Sequence, residues 1–253
     1  MSITSKELKN YLDSLLQCNE IADYCPNGLQ VEGNSQVKKI VTGVTASQAL
    51  IDSAIEKGAD TILVHHGYFW KGESQPIVGM KKRRIGTLLA NDVNLFAYHL
   101  PLDVHSEYGN NRQLGDLMGV TDIQALTGIK PRGVVMHGQF SSPQTTSSLQ
   151  TKLSEVLQRD VLVEGDASSV INTVAWCTGG GQSFIEQAAQ AGIDAFVTGE
   201  VSEQTIHIAR EMGIAFFAAG HHATERYGIK ALGEHLQQHF GVDVEFIDID
   251  NPA

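Results

Sequence analysis

The sequence predicts an α/β fold with largely parallel sheets, divided into two domains. Short apolar runs that stop at turn residues alternate with stretches of helical apolar spacing, the pattern of βαβ units. Residues able to do chemistry recur just after those runs, where open α/β sheets place their sites. A chain of 253 residues that is 42% hydrophobic and 19% charged has apolar surface for one large or two small cores and is not disordered.

The elements follow in order. Leu8, Tyr11, Leu12, Leu15 and Leu16 give residues 5–17 a helical stripe, and Pro26, Asn27-Gly28 and Gly33 mark turns after it. A strand over 38–46 runs into Ser47, an N-cap for a helix over 48–57 that Gly58 closes. The apolar run Thr61 to Val64 is the next strand; it ends in His65, His66 and Gly67. A polar loop over 71–76 leads to a helix over 80–92, then a third strand in 93–105 that meets Pro101. The composition changes after Gly119, which sets a boundary near residue 125. The expected domains are 1–125 and 126–253, with the C-terminal part packing back on the first. The second half reads as strands at 133–140, 171–177, 194–200, 214–220 and 242–249. Helices at 146–158, 184–191, 203–212 and 221–240 alternate with them.

A net charge of −11 and a pI near 5.3 disfavour nonspecific nucleic-acid binding and anionic membranes. No apolar stretch is long enough to span a bilayer, and the first residues lack the apolar core of a signal peptide. Cys18, Cys25 and Cys177 are odd in number and form no CxxC pair, so neither a disulfide framework nor a zinc ribbon is expected. The expected compartment is the cytoplasm.

Donor side chains collect at the strand ends. His65 and His66 end one strand, His99, Asp103 and His105 follow the next, and Glu200 ends another. His221, His222 and Glu225 follow a fourth, with His221 and Glu225 at i, i+4 on one helix face. Imidazole mixed with carboxylate suits Zn, Mn, Fe or Co better than Ca or Mg. The donors outnumber what one tetrahedral ion needs, so they point to a two-metal centre. His99 and His222 can be ligands, partners that orient ligands, or proton carriers. His137, His207, His235 and His239 read as structural residues. The loop Thr178 to Gly181 lies between a strand and a helix and reads equally as an anion cradle or as a tight turn. The basic run Met80 to Arg84 reads as a solvated helix face.

The motifs NGLQVEG, VTGVTAS, VHHGYFW, HLPLDVH, TGGG, VTGE and GHHATE, in this order, resemble the Nif-three-like family. Bacterial members of that family are labelled GTP cyclohydrolase I type 2 homologues. The resemblance covers nearly the whole chain. It implies two interlocked three-layer α/β domains and a toroidal homohexamer. It also implies a dinuclear site on His65, His66, Asp103, His221 and Glu225, with Glu225 as the bridge.

Two functional expectations follow. The first is a metal-dependent hydrolase with two divalent transition ions per subunit (Zn, Fe, Mn or Co). His99 or His222 would carry the proton, and the substrate would be a purine nucleotide or a related cyclic amide or phosphoester. The second is a non-catalytic metal-binding regulatory or metal-carrier protein. Nucleic-acid binding must overcome the acidic charge.

Overall fold

The computed structural model describes residues 2–253. In chain order the first elements are β1 (Ile3–Thr4), α1 (Ser5–Leu15), β2 (Gly28–Val31), β3 (Gln36–Val37), β4 (Lys39–Thr45) and α2 (Gln48–Glu56). They are followed by β5 (Thr61–His66), α3 (Gly79–Ala90), β6 (Asn94–Ala97), α4 (Leu100–Asp103), α5 (Asn110–Met118) and β7 (Val120–Ala125). Next come β8 (Met136–Thr145), α6 (Thr146–Leu157), β9 (Leu162–Glu164), β10 (Val170–Cys177), α7 (Ile185–Gln190) and β11 (Ala195–Thr198). The last are α8 (Glu203–Met212), β12 (Ala215–Ala218), α9 (His221–Phe240) and β13 (Asp243–Phe246). The fold is mixed α/β with three sheets. Among the described residues, no helix is long and apolar enough to cross a membrane.

The chain divides into two compact units. One comprises Met1–Leu102 and Gly228–Asp250, the other Asp103–Tyr227 and Asn251–Ala253. The division therefore falls at Leu102 rather than near residue 125. The reason lies in β7, which pairs antiparallel with β8 and so belongs to the second sheet.

In the first unit the strands run β13-β4-β5-β6-β2. The first four are parallel, and β2 lies antiparallel on the edge. Alternate strand residues face opposite sides. Val41, Ile62, Val64 and Leu95 accordingly pack with Leu50, Ile51 and Ala54 of α2 and Ile85 and Leu88 of α3. Ser47 caps α2, its hydroxyl accepting from Leu50 N. Gly233 of α9 lies so close to Thr42 that a Cβ would come within 2.9 Å of Thr42 Cγ2. The histidines read as structural on this helix are so: His235 and His239 stack on Tyr11 of α1.

In the second unit the order is β7-β8-β10-β11-β12-β9, with β10, β11 and β12 parallel and the remaining pairings antiparallel. Its core joins Val174, Trp176, Val197 and Phe217 of the sheet to Leu114 and Met118 of α5 and Leu149, Leu153 and Leu157 of α6. Trp176 is wholly buried, and its indole N–H donates to Asn111 O at 2.8 Å. α5 reaches this ring because Gly115 faces it; a Cβ there would lie 2.6 Å from Trp176 Cζ2.

Candidate metal centre

The first unit places three imidazoles together. β5 ends at His66, and the His65 and His66 ring centroids lie 4.4 Å apart; the His99 centroid lies 5.0 Å from His65 and 5.7 Å from His66. One ring nitrogen from each falls within 4.8 Å of those of the other two. His65 is fully buried, and its Nδ1 lies 3.0 Å from Tyr98 O. A carbonyl only accepts, so Nδ1 carries the hydrogen and Nε2 holds the lone pair. The turn after the doublet needs glycine. A Cβ on Gly67 would stand 2.2 Å from Gln30 Oε1, and that amide pairs with the Tyr68 backbone at both N and O.

His99 is held by the segment before β2. Its Nδ1 meets Asp23 Oδ1 at 2.8 Å, and its backbone N–H donates to Asn27 Oδ1 at 2.7 Å. Asp23 also accepts from Leu100 N, Tyr24 N and Asn27 Nδ2. Burial pushes this carboxyl up, but the bonds and charge from His99, with Asn27 and Tyr24, hold it below the usual carboxylate value.

The second unit gathers the carboxylates. Asp103, buried at the end of α4, accepts from Asn110 Nδ2 at 2.8 Å and from Thr178 Oγ1 at 3.3 Å. His221 opens α9. Its Nδ1 lies 2.7 Å from Glu200 Oε1, and its Nε2 lies 3.3 Å from Glu225 Oε2, one helical turn on. Asp103 and Glu225 bring oxygens within 4.8 Å of each other. Burial pulls the His221 imidazole down, yet the bonds and charge from Glu225 and then Glu200 raise it to about 9. The pocket around Glu225 thus favours a positive charge. The Cys177 thiol alongside is pushed up by burial and by Asp103 and Glu225, which makes it an inert small hydrophobe.

The loop Thr178 to Gly181 is the wall of this cluster. Thr178 N donates to Asn111 Oδ1, Gly179 N to Thr224 Oγ1 and Gly181 N to Thr198 Oγ1, each at 3.0 Å. Three of its amides are therefore consumed by side chains, and carboxylates stand beside it, so this loop is not a phosphate cradle. Its glycines answer to space: a Cβ on Gly179 would stand 2.2 Å from Glu225 Oε1 and 3.0 Å from His221 Nε2. GHHATE is intelligible in the same way. Gly220 makes the positive-φ turn out of β12, Ala223 enters the core, Thr224 ties down Gly179, and His221 and Glu225 are donors.

A model of the Duf34/NIF3 (NGG1p interacting factor 3) family matches residues 3–252. The chain belongs to the Duf34/NIF3 family. A Pasteurella multocida member named GTP cyclohydrolase 1 type 2 homolog is 58% identical over 251 residues, covering 98% of each chain. The Escherichia coli protein of that name is 56% identical over 248 residues, again 98% of each. Among solved structures, protein ybgI, titled as of unknown function, superposes with a TM-score of 0.95 at 55% identity, covering 99% of this chain and 100% of that one. A Thermus thermophilus protein reaches 0.90 at 35% identity over 99% of this chain and 100% of its own.

Within this Duf34/NIF3 chain the structure separates the donors by surroundings. His65, His66 and His99 converge in one unit, and Asp103, His221 and Glu225 lie together in the other. His222 is buried, its backbone N–H donating to Ala253 O, and it stands outside the donor groups. In the basic run Lys82 and Arg83 are exposed, whereas Lys81 is largely covered, pairing with Glu73 and lying over the Phe69 ring. Sequence reasoning missed Asp23. Its only signal is its place four residues before Asn27 in a turn-rich stretch, where the two side chains bond.

Asp23→Ala removes the acceptor of four donors, His99 Nδ1, Leu100 N, Tyr24 N and Asn27 Nδ2, and is expected to destabilise by about 1–3 kcal/mol at neutral pH. The Asp23 pKa is lowered on folding, so its contribution is complete above the ordinary carboxylate pKa and is lost as pH falls through the lowered value. Urea unfolding of the two proteins at neutral and acid pH measures this; equal midpoints at neutral pH would show the carboxylate to be a bystander.

Proposed function

We propose that this chain holds a pair of divalent transition-metal ions on His65, His66, Asp103, His221 and Glu225 and uses them in hydrolysis of a small molecule. The observation that carries the reading is the arrangement of His65 and His221. Each has Nδ1 against an oxygen, a backbone carbonyl or a carboxylate; Nε2 of His65 thereby holds the lone pair, and Nε2 of His221, which faces Glu225 Oε2, would donate its pair once an ion displaces the proton there. Metal-ligating histidines are held in this way. The donor set fits Zn, Fe, Mn or Co.

Such ions would supply a water of lowered pKa and polarise the bond it attacks. Asp23 holds His99 with its proton on Nδ1, so Nε2 accepts and returns a proton at the reacting group. His222 is the alternative proton carrier. The relatives' name, GTP cyclohydrolase 1 type 2 homolog, supports a purine nucleotide or a related cyclic amide or phosphoester as substrate. The reading includes a homohexamer in the cytoplasm. The consumed amides at Thr178 to Gly181 favour the second reading, a non-catalytic metal carrier, because they deny phosphate its expected seat.

Elemental analysis of protein reconstituted with Zn, Mn, Fe or Co should find about two ions per chain, and His65→Ala and His221→Ala should each lower that number. A hydrolase screen that includes purine ring opening in GTP, run against metal-stripped protein, separates enzyme from carrier. Well under one ion per chain in the reconstituted wild type removes the proposal.

A further inference from the structure

Next to Asp103 the second unit holds a cleft of about 830 Å³ that nothing above employs. That volume lies in the range of small-molecule sites. Its wall is partly apolar, from Ile123, Ile129 and Met136, and Lys130 and Arg132 also line it. Neither of these two cations has a carboxylate partner among the described residues, whereas Arg112, on the same wall, is paired with Asp116 at 2.9 Å. In a chain of net charge −11, two cations left unneutralised in one concavity are a local reversal of sign.

The wall that carries them is anchored. Buried Asn111 donates from Nδ2 to Gly133 O and Val134 O, both at 3.0 Å, and Leu126 N donates to Val135 O at 2.9 Å. The Oδ1 of Asn111 accepts from Thr178 N, and Thr178 Oγ1 reaches Asp103. One hydrogen-bonded chain thus runs from the cation-bearing loop to the carboxylate of the metal centre. The cleft has a carboxylate and a pair of cations on an apolar lining, which orients any ligand that carries one negative group.

We infer that this cleft binds an organic anion with an apolar body, its phosphate or carboxylate on Lys130 and Arg132 and its other end toward Asp103. The inference rests on the proposed hydrolytic site only for the direction in which the ligand points.

The test is isothermal titration calorimetry of reconstituted and of metal-stripped protein with 1-naphthyl phosphate and 1-naphthoate, with 1-naphthol and inorganic phosphate as controls. At least one naphthyl anion should bind about tenfold or more tightly than either control, and the tighter of the two identifies the head group. The double variant Lys130→Ala/Arg132→Ala should lose about tenfold in affinity for that anion, keep its affinity for 1-naphthol and keep its metal content. Both side chains are exposed, so the variant should fold. Equal anion affinity in wild type and variant overturns the inference, as does 1-naphthol binding as tightly as the anions. If the wild type takes up no metal but binds the anion through Lys130 and Arg132, the hydrolytic reading falls and the cleft stands. If metal loads normally and anion binding ignores the two cations, the cleft alone falls.

Discussion

Gly179→Ala should weaken metal binding by about tenfold or more while leaving the fold intact. Two independent effects combine. The residue sits at φ +63°, a left-handed conformation that an L side chain adopts at a cost of about 1–2 kcal/mol. The new Cβ would then stand 2.2 Å from Glu225 Oε1 and 3.0 Å from His221 Nε2, so both proposed ligands must move. Gly180→Ala is the matched control, because its nearest neighbour, the Glu200 carboxylate, is 3.6 Å away. Elemental analysis of the two variants, with circular dichroism to check folding, decides it. Wild-type metal content in Gly179→Ala would exclude Glu225 and His221 as ligands.

Trp176→Ala carries the largest expected loss of stability. The ring is fully buried among Leu114, Met118 and the α6 leucines, and its N–H satisfies Asn111 O. Removing it leaves a large cavity and a lost hydrogen bond, together about 3–5 kcal/mol. At about 2–4 °C per kcal/mol, the melting temperature should fall by roughly 6–20 °C, read by scanning calorimetry. The loss should spread to the 178–181 loop, because Asn111 also receives Thr178 N and holds the 133–134 backbone. An unchanged melting temperature would mean that Trp176 is not a packed core residue.

The parts of this fold that can be read from sequence are those whose signal is local. β5 announces itself as an apolar run stopped by a polar doublet and glycine. The first turn of α9 shows its donors because four residues separate them on any helix. β2 hides behind Pro26 and Asn27-Gly28, which mark a turn; the strand that follows is a short antiparallel edge. α5 hides because it begins with two asparagines and carries Gly115. Those asparagines serve Asp103 and the 133–134 backbone, and the glycine admits Trp176. β9 has three residues and is defined by its partner β12 rather than by its own pattern. The link from Asp23 to His99 spans 76 positions, so no window along the chain contains it. Likewise, the glycines of the 178–181 loop announce a need for space in the sequence, but only the position of α9 tells what occupies that space.

The loop beside Glu225 has one more consequence. Asn111, Thr198 and Thr224 bind its amides with protein side chains, where an open loop would bind water or wait for a ligand. The ordering of that wall therefore belongs to folding itself. A cation bound as proposed would meet a preorganised cage and lose little affinity to immobilising backbone. Discrimination among ions then falls on radius and ligand chemistry rather than on how far the cage can adapt, and hydrogen exchange at Thr178, Gly179 and Gly181 should be slow before any metal is added.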